Sequence, residues 1–308
     1  MTTNLDELRR RDGDPARRIL LTGAAIVTMD PGLGVLPRAD LLIEDDRIAA
    51  VGPDLPAEDA LVVDVAGAVL APGFVDTHRH AWEAQLRRIM PDVNDLGEYV
   101  TSTLAGIAPA YQPKDMYIGT KLAALTAIDS GITTMLDFSH NSRTAAHSDA
   151  AIRALIDTGI RGVHASMRPH FGDWDGMFTQ MRALHAIQRM RAVNAAHGTG
   201  ERPTRIGVHD VLDLATLQGA RSIGLGDVTG SLTPGKQADV LVVRADDLNN
   251  MPLNDPIGTL VLGSDPRNID VVFIAGQVRK WGGAVLDIDL TELRKDVRAS
   301  RDRVLTLH

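Results

Sequence analysis

The five residues Ile128-Asp129-Ser130-Gly131-Ile132 return almost unchanged as Ile156-Asp157-Thr158-Gly159-Ile160, 28 positions later. Each copy closes a stretch of helical periodicity and opens a short apolar run. KDMYIGTKLAALTAIDSG carries Met116, Leu122, Leu125 and Ile128 at three- and four-residue spacing and passes into ITTMLDF. SDAAIRALIDTG, with Ser148 as N-cap and Ile152, Leu155 and Ile156 on one face, passes into IRGVHAS. A helix that stops at glycine and feeds a strand, repeated at this period, predicts βα units on a parallel sheet. With GFVDTH as the first, three such strands are expected.

The flanks read differently. Residues 18–70 form short alternating runs: Leu41, Ile43, Ile48 and Val51 alternate around the charged turn Glu44-Asp45-Asp46-Arg47, as antiparallel hairpins do. Strands are expected again in KQADVLVVRAD, TLVLGSD and NIDVVFIAGQVRK, followed by a polar terminal helix. Between them GMFTQMRALHAIQRMRAVNAAHG and VHDVLDLATLQGARSIG read as helices, and no apolar strand is visible between residues 167 and 227. The expected division is therefore 1–70 and 227–308 as the two parts of a β domain, and 71–226 as the βα portion.

Composition narrows the chemistry. With no cysteine in 308 residues, disulfides, thiolate metal sites and cysteine nucleophiles are excluded, so a metal must be held by His, Asp and Glu. A net charge of −8 with interspersed signs argues against a nucleic-acid surface. No apolar run reaches the ~18 residues of a membrane span, and MTTNLDELRRRDGD lacks the apolar core of a signal peptide, so a cytoplasmic protein without a membrane partner is expected.

The sharpest motif is Asp76-Thr77-His78-Arg79-His80. Residues two apart on a strand point to one side, so at the C-terminal end of a parallel strand His78 and His80 converge where such folds place their chemistry. Two solvent-facing loop histidines are the alternative reading of a bare His-x-His. The context, Ala71-Pro72-Gly73-Phe74-Val75-Asp76 after a β-rich segment, resembles the amidohydrolase superfamily, whose first barrel strand ends in a metal-binding His-x-His. Leu217 to Leu225 followed by Gly230-Ser231-Leu232-Thr233-Pro234-Gly235-Lys236-Gln237-Ala238-Asp239 resembles that family's return into its β domain. The same glycines nearly satisfy a phosphate-binding loop, but Gln237 replaces the magnesium-binding Ser or Thr and a strand follows where a helix is needed. Within the family, the tract 76–82 and Met177-Phe178-Thr179-Gln180-Met181-Arg182 look most like cytosine and guanine deaminases and triazine chlorohydrolases.

The resemblance implies an α/β fold, an amidohydrolase-type TIM barrel with a composite β-sandwich, and a divalent cation on His78 and His80: zinc, with iron as the alternative. Trp82 and Gln85 are candidates for contact with a small heterocyclic substrate, with packing as the alternative reading of Trp82; so is His140, which ends the second strand as His80 ends the first, with loop capping as its alternative. His164 reads as a core histidine, and no chemistry is assigned to His147, His185, His197, His209 or His308. One expectation runs against a full barrel. Such a barrel takes about 250 residues, whereas residues 71–222 supply roughly 150, and nothing matches the family's later histidines or its eighth-strand aspartate. The central strands are therefore expected to be absent, with a junction near Asp175 and Gly176, leaving a partial barrel whose open edges need a β domain or a second copy of the chain to cover them. Two functions follow: hydrolysis at a C–N or C–halogen bond of a nitrogen heterocycle, impaired by missing ligands, or a noncatalytic remnant with at most a structural, oligomerising role.

Overall fold

The computed structural model describes residues 5–9, 14, 16–90, 92–166, 177–199 and 204–306. The expected junction at Asp175 and Gly176 lies outside them. The chain divides into two compact units: Met1–Asp76, Asp129–Thr133 and Trp174–Leu286 form one; Thr77–Ile128, Thr134–Asp173 and Asp287–His308 form the other. The terminal helix thus belongs with the histidines, not with the β segments as the sequence division had it.

The first unit is a mixed sheet built from both ends of the chain. The strands β1 (Arg18–Val27), β2 (Val35–Glu44), β3 (Arg47–Gly52), β4 (Leu61–Asp64) and β5 (Ala68–Pro72) come first. The downstream strands β9 (Val240–Arg244), β10 (Ile269–Ile274), β11 (Gln277–Trp281) and β12 (Ala284–Val285) complete it. The order is β12-β11-β10-β9-β5-β1-β2-β3, with β4 attached to β1, so the expected sandwich is one branched sheet. The two ends meet where β5 and β9 pair antiparallel, Ala68 opposite Arg244 and Leu70 opposite Val242. Alternation does its expected work: in β4, Leu61 and Val63 are buried while Val62 and Asp64 are exposed. The inward set Ile19, Leu21, Leu41, Ile43, Leu70, Val240, Val242 and Phe273 forms the core.

TLVLGSD is not a strand. Asp255 accepts from Ile257 N with Pro256 at the first helical position, which starts a helical turn that continues over Thr259–Gly263. The Gly230 to Lys236 segment is a turn, and Lys236 Nζ is spent on the carbonyls of Gly226 and Thr229 at 2.5 and 3.3 Å. The buried Asp239 that follows accepts from Thr229 Oγ1 at 2.7 Å, Ala275 N at 2.8 Å and Thr133 Oγ1 at 3.4 Å. A buried lysine, Lys280, donates to Asp129 O at 2.7 Å and lies 2.9 Å from Asp129 Oδ1.

The βα repeats fall mostly in the second unit, with Phe74–Asp76 and Ile132–Thr133 of their strands counted in the first. The strands β6 (Phe74–Arg79), β7 (Ile132–Phe138) and β8 (Arg161–Ala165) lie in the order β6-β7-β8, an open row rather than a closed barrel among the described residues. β7 and β8 are parallel, with Thr134 opposite Arg161 and Phe138 opposite Ala165. Gly131 and Gly159 end their helices at φ +81° and +69°, a conformation that costs glycine little and other residues more. The helix Ala145–Thr158 starts four residues before the expected Ser148, at a Thr144 cap. It buries Ala151, Ala154, Leu155 and Thr158, leaving Ile152 and Ile156 exposed. Small residues bring that helix close to its strand: a Cβ on Gly162 of β8 would lie 2.7 Å from Leu155. No helix among the described residues is long and apolar enough to cross a membrane.

The terminal helix Leu290–Thr306 buries Ser300 and Val304. Ser300 Oγ donates to Asp115 Oδ1 at 2.8 Å, the other Asp115 oxygen accepts from Gln112 N at 2.8 Å, and the Arg303 guanidinium lies against it. Replacing Asp115 by Ala strands these donors, and is expected to cost about 3 kcal/mol and to speed amide hydrogen exchange across 290–306 selectively. Asp239→Ala is expected to cost a similar amount, about 3 kcal/mol in urea unfolding, with β9, β10 and β11 losing exchange protection first.

Candidate metal centre

The C-terminal ends of three neighbouring strands bring five polar side chains together. β6 delivers His78 and leads into His80; β7 ends in Asp137 and Phe138 and runs on to His140; β8 places His164 opposite Asp137. The rings of His78 and His80 are edge to face with centroids 5.0 Å apart. His140 stacks on His80 at 4.0 Å and 24°, while Phe138 covers His78 at 4.5 Å.

Hydrogen bonds assign the protons. His80 Nδ1 lies 2.8 Å from Phe138 O, and a carbonyl only accepts, so Nδ1 carries a hydrogen and, in the neutral ring, Nε2 carries the lone pair. The fully buried Asp137 holds the next step of the chain, accepting from Ala81 N at 3.2 Å through Oδ1 and from His164 Nδ1 at 3.0 Å through Oδ2. His164 thus carries a hydrogen on Nδ1, and its Nε2 is buried without a hydrogen-bond partner among the described residues. This is the carboxylate-behind-imidazole arrangement that orients histidines.

His140 is the opposite tautomer. Trp82 Nε1 donates to His140 Nδ1 at 3.0 Å, and Tyr99 donates its only hydroxyl hydrogen to Glu83 Oε1 at 2.5 Å. The Tyr99 oxygen, 3.4 Å from His140 Nε2, must therefore accept from it. Burial, reinforced by His80 and His78, pushes the His140 pKa down to about 3, although Glu83 lies 3.9 Å away. The ring is uncharged at neutral pH.

Trp82 and Gln85 leave the list of substrate-facing groups. Trp82 is fully buried, packed edge to face on Tyr111 with its indole N–H committed to His140, in a core with Leu86, Ile107 and Met116. Gln85 is also buried and donates to Asp115 O at 3.2 Å and Ser300 Oγ at 3.3 Å. His140 does sit with His78 and His80, but as a neighbour with both nitrogens engaged. Asp137, Glu83 and Tyr99 were missed by the sequence reading. For Asp137 a signal existed: it faces His164 27 residues on, one short of the repeat. The donor chemistry fits two positions around a divalent cation, His78 and His80. Among the described residues no group of three or more His, Asp or Glu side chains is placed to hold a metal.

The sequence profile described as "Amidohydrolase family" matches residues 69–192 and again 175–279. A 5-methylthioadenosine/S-adenosylhomocysteine deaminase from Pelotomaculum thermopropionicum is 31% identical over 185 residues, covering 54% of this chain and 42% of that protein. A 5'-deoxyadenosine deaminase from Methanosarcina acetivorans is 31% identical over 46% of this chain and 33% of its own length, so the chain spans less than half of these relatives. A 5-methylthioadenosine/S-adenosylhomocysteine deaminase from Acetivibrio thermocellus is 28% identical over 438 residues, 93% of this chain and 99% of that protein. In fold, the chain is similar to a zinc-bound adenosine deaminase from Xanthomonas campestris, with TM-score 0.74, 18% identity, and 95% and 99% of the two chains covered. It is also similar to the zinc complex of an atrazine chlorohydrolase from Arthrobacter aurescens TC1, with TM-score 0.72, 17% identity, and 92% and 100% covered.

Asp137→Ala leaves Ala81 N and His164 Nδ1 without their acceptor in a buried place. It is expected to cost about 2 to 4 kcal/mol in urea unfolding, against about 1 kcal/mol for Asp137→Asn, which keeps one oxygen.

Proposed function

Because the chain belongs to the amidohydrolase family, we propose that it is a metal-dependent hydrolase acting at a carbon–nitrogen bond of a small nitrogen heterocycle, with His78 and His80 holding one divalent cation. The observation that carries this reading is the His80 tautomer: the 2.8 Å bond to Phe138 O leaves Nε2 as the nitrogen with a lone pair beside the His78 ring. The names of the relatives support the reaction class, since they are deaminases of 5-methylthioadenosine, S-adenosylhomocysteine and 5'-deoxyadenosine. Zinc in two structural neighbours supports the choice of metal, with iron as the alternative.

A divalent cation supplies Lewis-acid chemistry that makes water nucleophilic at neutral pH. The chain's own groups do the positioning. Phe138 O fixes the His80 proton on Nδ1, and Asp137 fixes both the Ala81 backbone and the His164 ring. The net reaction adds the oxygen of water to a ring carbon and breaks the exocyclic C–N bond, releasing ammonia. We also infer that the chain lacks a central part of the family's barrel. The two profile matches meet at 175–192, and 93% of 308 residues cannot fill the 438 positions of the Acetivibrio alignment without an internal gap. Two imidazoles then predict an exchangeable cation, held less tightly than by the three protein ligands of a usual catalytic zinc site.

The test is elemental analysis of the purified protein for zinc and iron beside His78→Ala and His80→Ala. It is paired with ammonia release from adenosine and 5'-methylthioadenosine in added zinc. The expected outcome is zinc uptake approaching one equivalent when the purified parent is equilibrated with excess zinc, lost in both variants together with a drop in turnover of about 100-fold or more. Equal background metal in all three proteins and no turnover would overturn the reading in favour of a noncatalytic relative.

A further inference from the structure

His140 is enclosed on every side by groups that tell it where to point. Its side chain is 1% exposed, its Nδ1 accepts from the Trp82 indole at 3.0 Å, and its Nε2 faces the Tyr99 oxygen at 3.4 Å. Tyr99 is in turn anchored on Glu83 at 2.5 Å. The proton order along this row is fixed at both ends, because an indole nitrogen only donates and a carboxylate only accepts. The relay gives His140 one tautomer and one ring plane, and that plane lies against His80 at 4.0 Å and 24°. His80 is held on its other side by Phe138 O and meets His78 edge to face at 5.0 Å.

We infer that His140 is a positioning residue, locked as the Nε2–H tautomer by Trp82 and Tyr99, whose stacked ring fixes the orientation of the His80 imidazole. The relay runs Trp82, His140, Tyr99, Glu83 and supports His80 from behind, as outer groups support metal-ligating histidines. Trp82 serves two ends: its ring fills the core beside Tyr111, and its N–H sets the His140 tautomer. A phenylalanine at 82 keeps the first role and removes the second. A phenylalanine at 99 removes the hydroxyl that receives the His140 proton while leaving the ring, at a half-buried site where folding is not in question.

The relevance of His80 as a ligand rests on the proposed metal centre, and the experiment separates the two. In the metal-free full chain with ring-¹⁵N histidine, long-range ¹H–¹⁵N spectra of the parent, Trp82→Phe and Tyr99→Phe report tautomers directly; His140→Phe and His80→Ala assign the signals. The parent is expected to show His140 protonated on Nε2 and His80 on Nδ1. In Trp82→Phe and Tyr99→Phe the His140 ring is expected to become a tautomer mixture, and the His80 ring signals to shift and broaden as its stacked support loosens while Phe138 O keeps its proton on Nδ1, with far-ultraviolet circular dichroism unchanged. Zinc titration against a chromophoric chelator then follows, with the dissociation constant expected to rise about tenfold in either variant. A His140 protonated on Nδ1, or a His80 spectrum identical in parent and both variants, would overturn the positioning role. Should Trp82→Phe fail to fold, Tyr99→Phe decides alone by the same criteria. A parent whose spectra are as expected but which takes up no zinc overturns the metal centre and supports the positioning of His80.

Discussion

The hydrogen bond from His80 Nδ1 to Phe138 O ties the residue after β6 to the end of β7, and the polar groups around it are arranged about that link. Asp137 sits one residue away and spends one oxygen on Ala81 N, so the two strand ends are joined twice within two residues. With the backbone pinned, the imidazoles have few rotamers left. His78 packs on Phe138 and His140 packs on His80, each ring filling a face that the neighbouring strand leaves. Each joint is a directed bond or a ring contact, which buried polar groups require if they are not to cost stability.

The same economy governs the units separately. In the first, strands far apart in the chain are brought to one sheet at β5 and β9, and the buried Asp239 binds the turn at Thr229, the tip of the β10–β11 hairpin and Thr133. In the second, Asp115 gathers Gln112 N, Ser300 and Arg303, which docks a helix that is polar over most of its surface. That helix has little apolar area to bury, only Val304 fully and Ser300 as a polar group, so its attachment is decided by charge-assisted bonds more than by area.

What was legible in the sequence is what repeats or alternates. Gly131 and Gly159 mark their helix ends because few other residues accept that backbone conformation, and the β4 and hairpin alternation follows from the pleat. His78 and His80 were readable as a pair because strand geometry fixes residues two apart. The substitution of substrate contact by internal bonding was not, because Trp82 and His140 are each other's partner 58 residues apart and Gln85 reaches Ser300 215 residues on, separations that no local period encodes. The TLVLGSD segment misled for a related reason: its apolar run satisfies a strand, while the helical start comes from Asp255 and Pro256 upstream of the run. Ile152 and Ile156 misled because helical spacing selects a face without saying which face is covered, and the alanines between them pack closer.

Electrostatics at the histidine cluster turns on which of two opposing effects is larger. A carboxylate 3.9 Å from His140 Nε2 favours protonation by about 4 kcal/mol at an effective dielectric of 20, and less where Glu83 meets solvent. Burial of an imidazolium opposes it by up to several pK units, and two further imidazoles add to that opposition. Since His140 falls to about 3, desolvation wins, and Glu83 is left to polarise Tyr99 instead of pairing with a charged histidine. An imidazolium stacked 4.0 Å from His80 would repel any cation held there, whereas a neutral ring with its dipole fixed by Trp82 does not. The dryness that keeps His140 uncharged is thus the condition under which a second histidine can lie against a candidate ligand without competing with the ion for it.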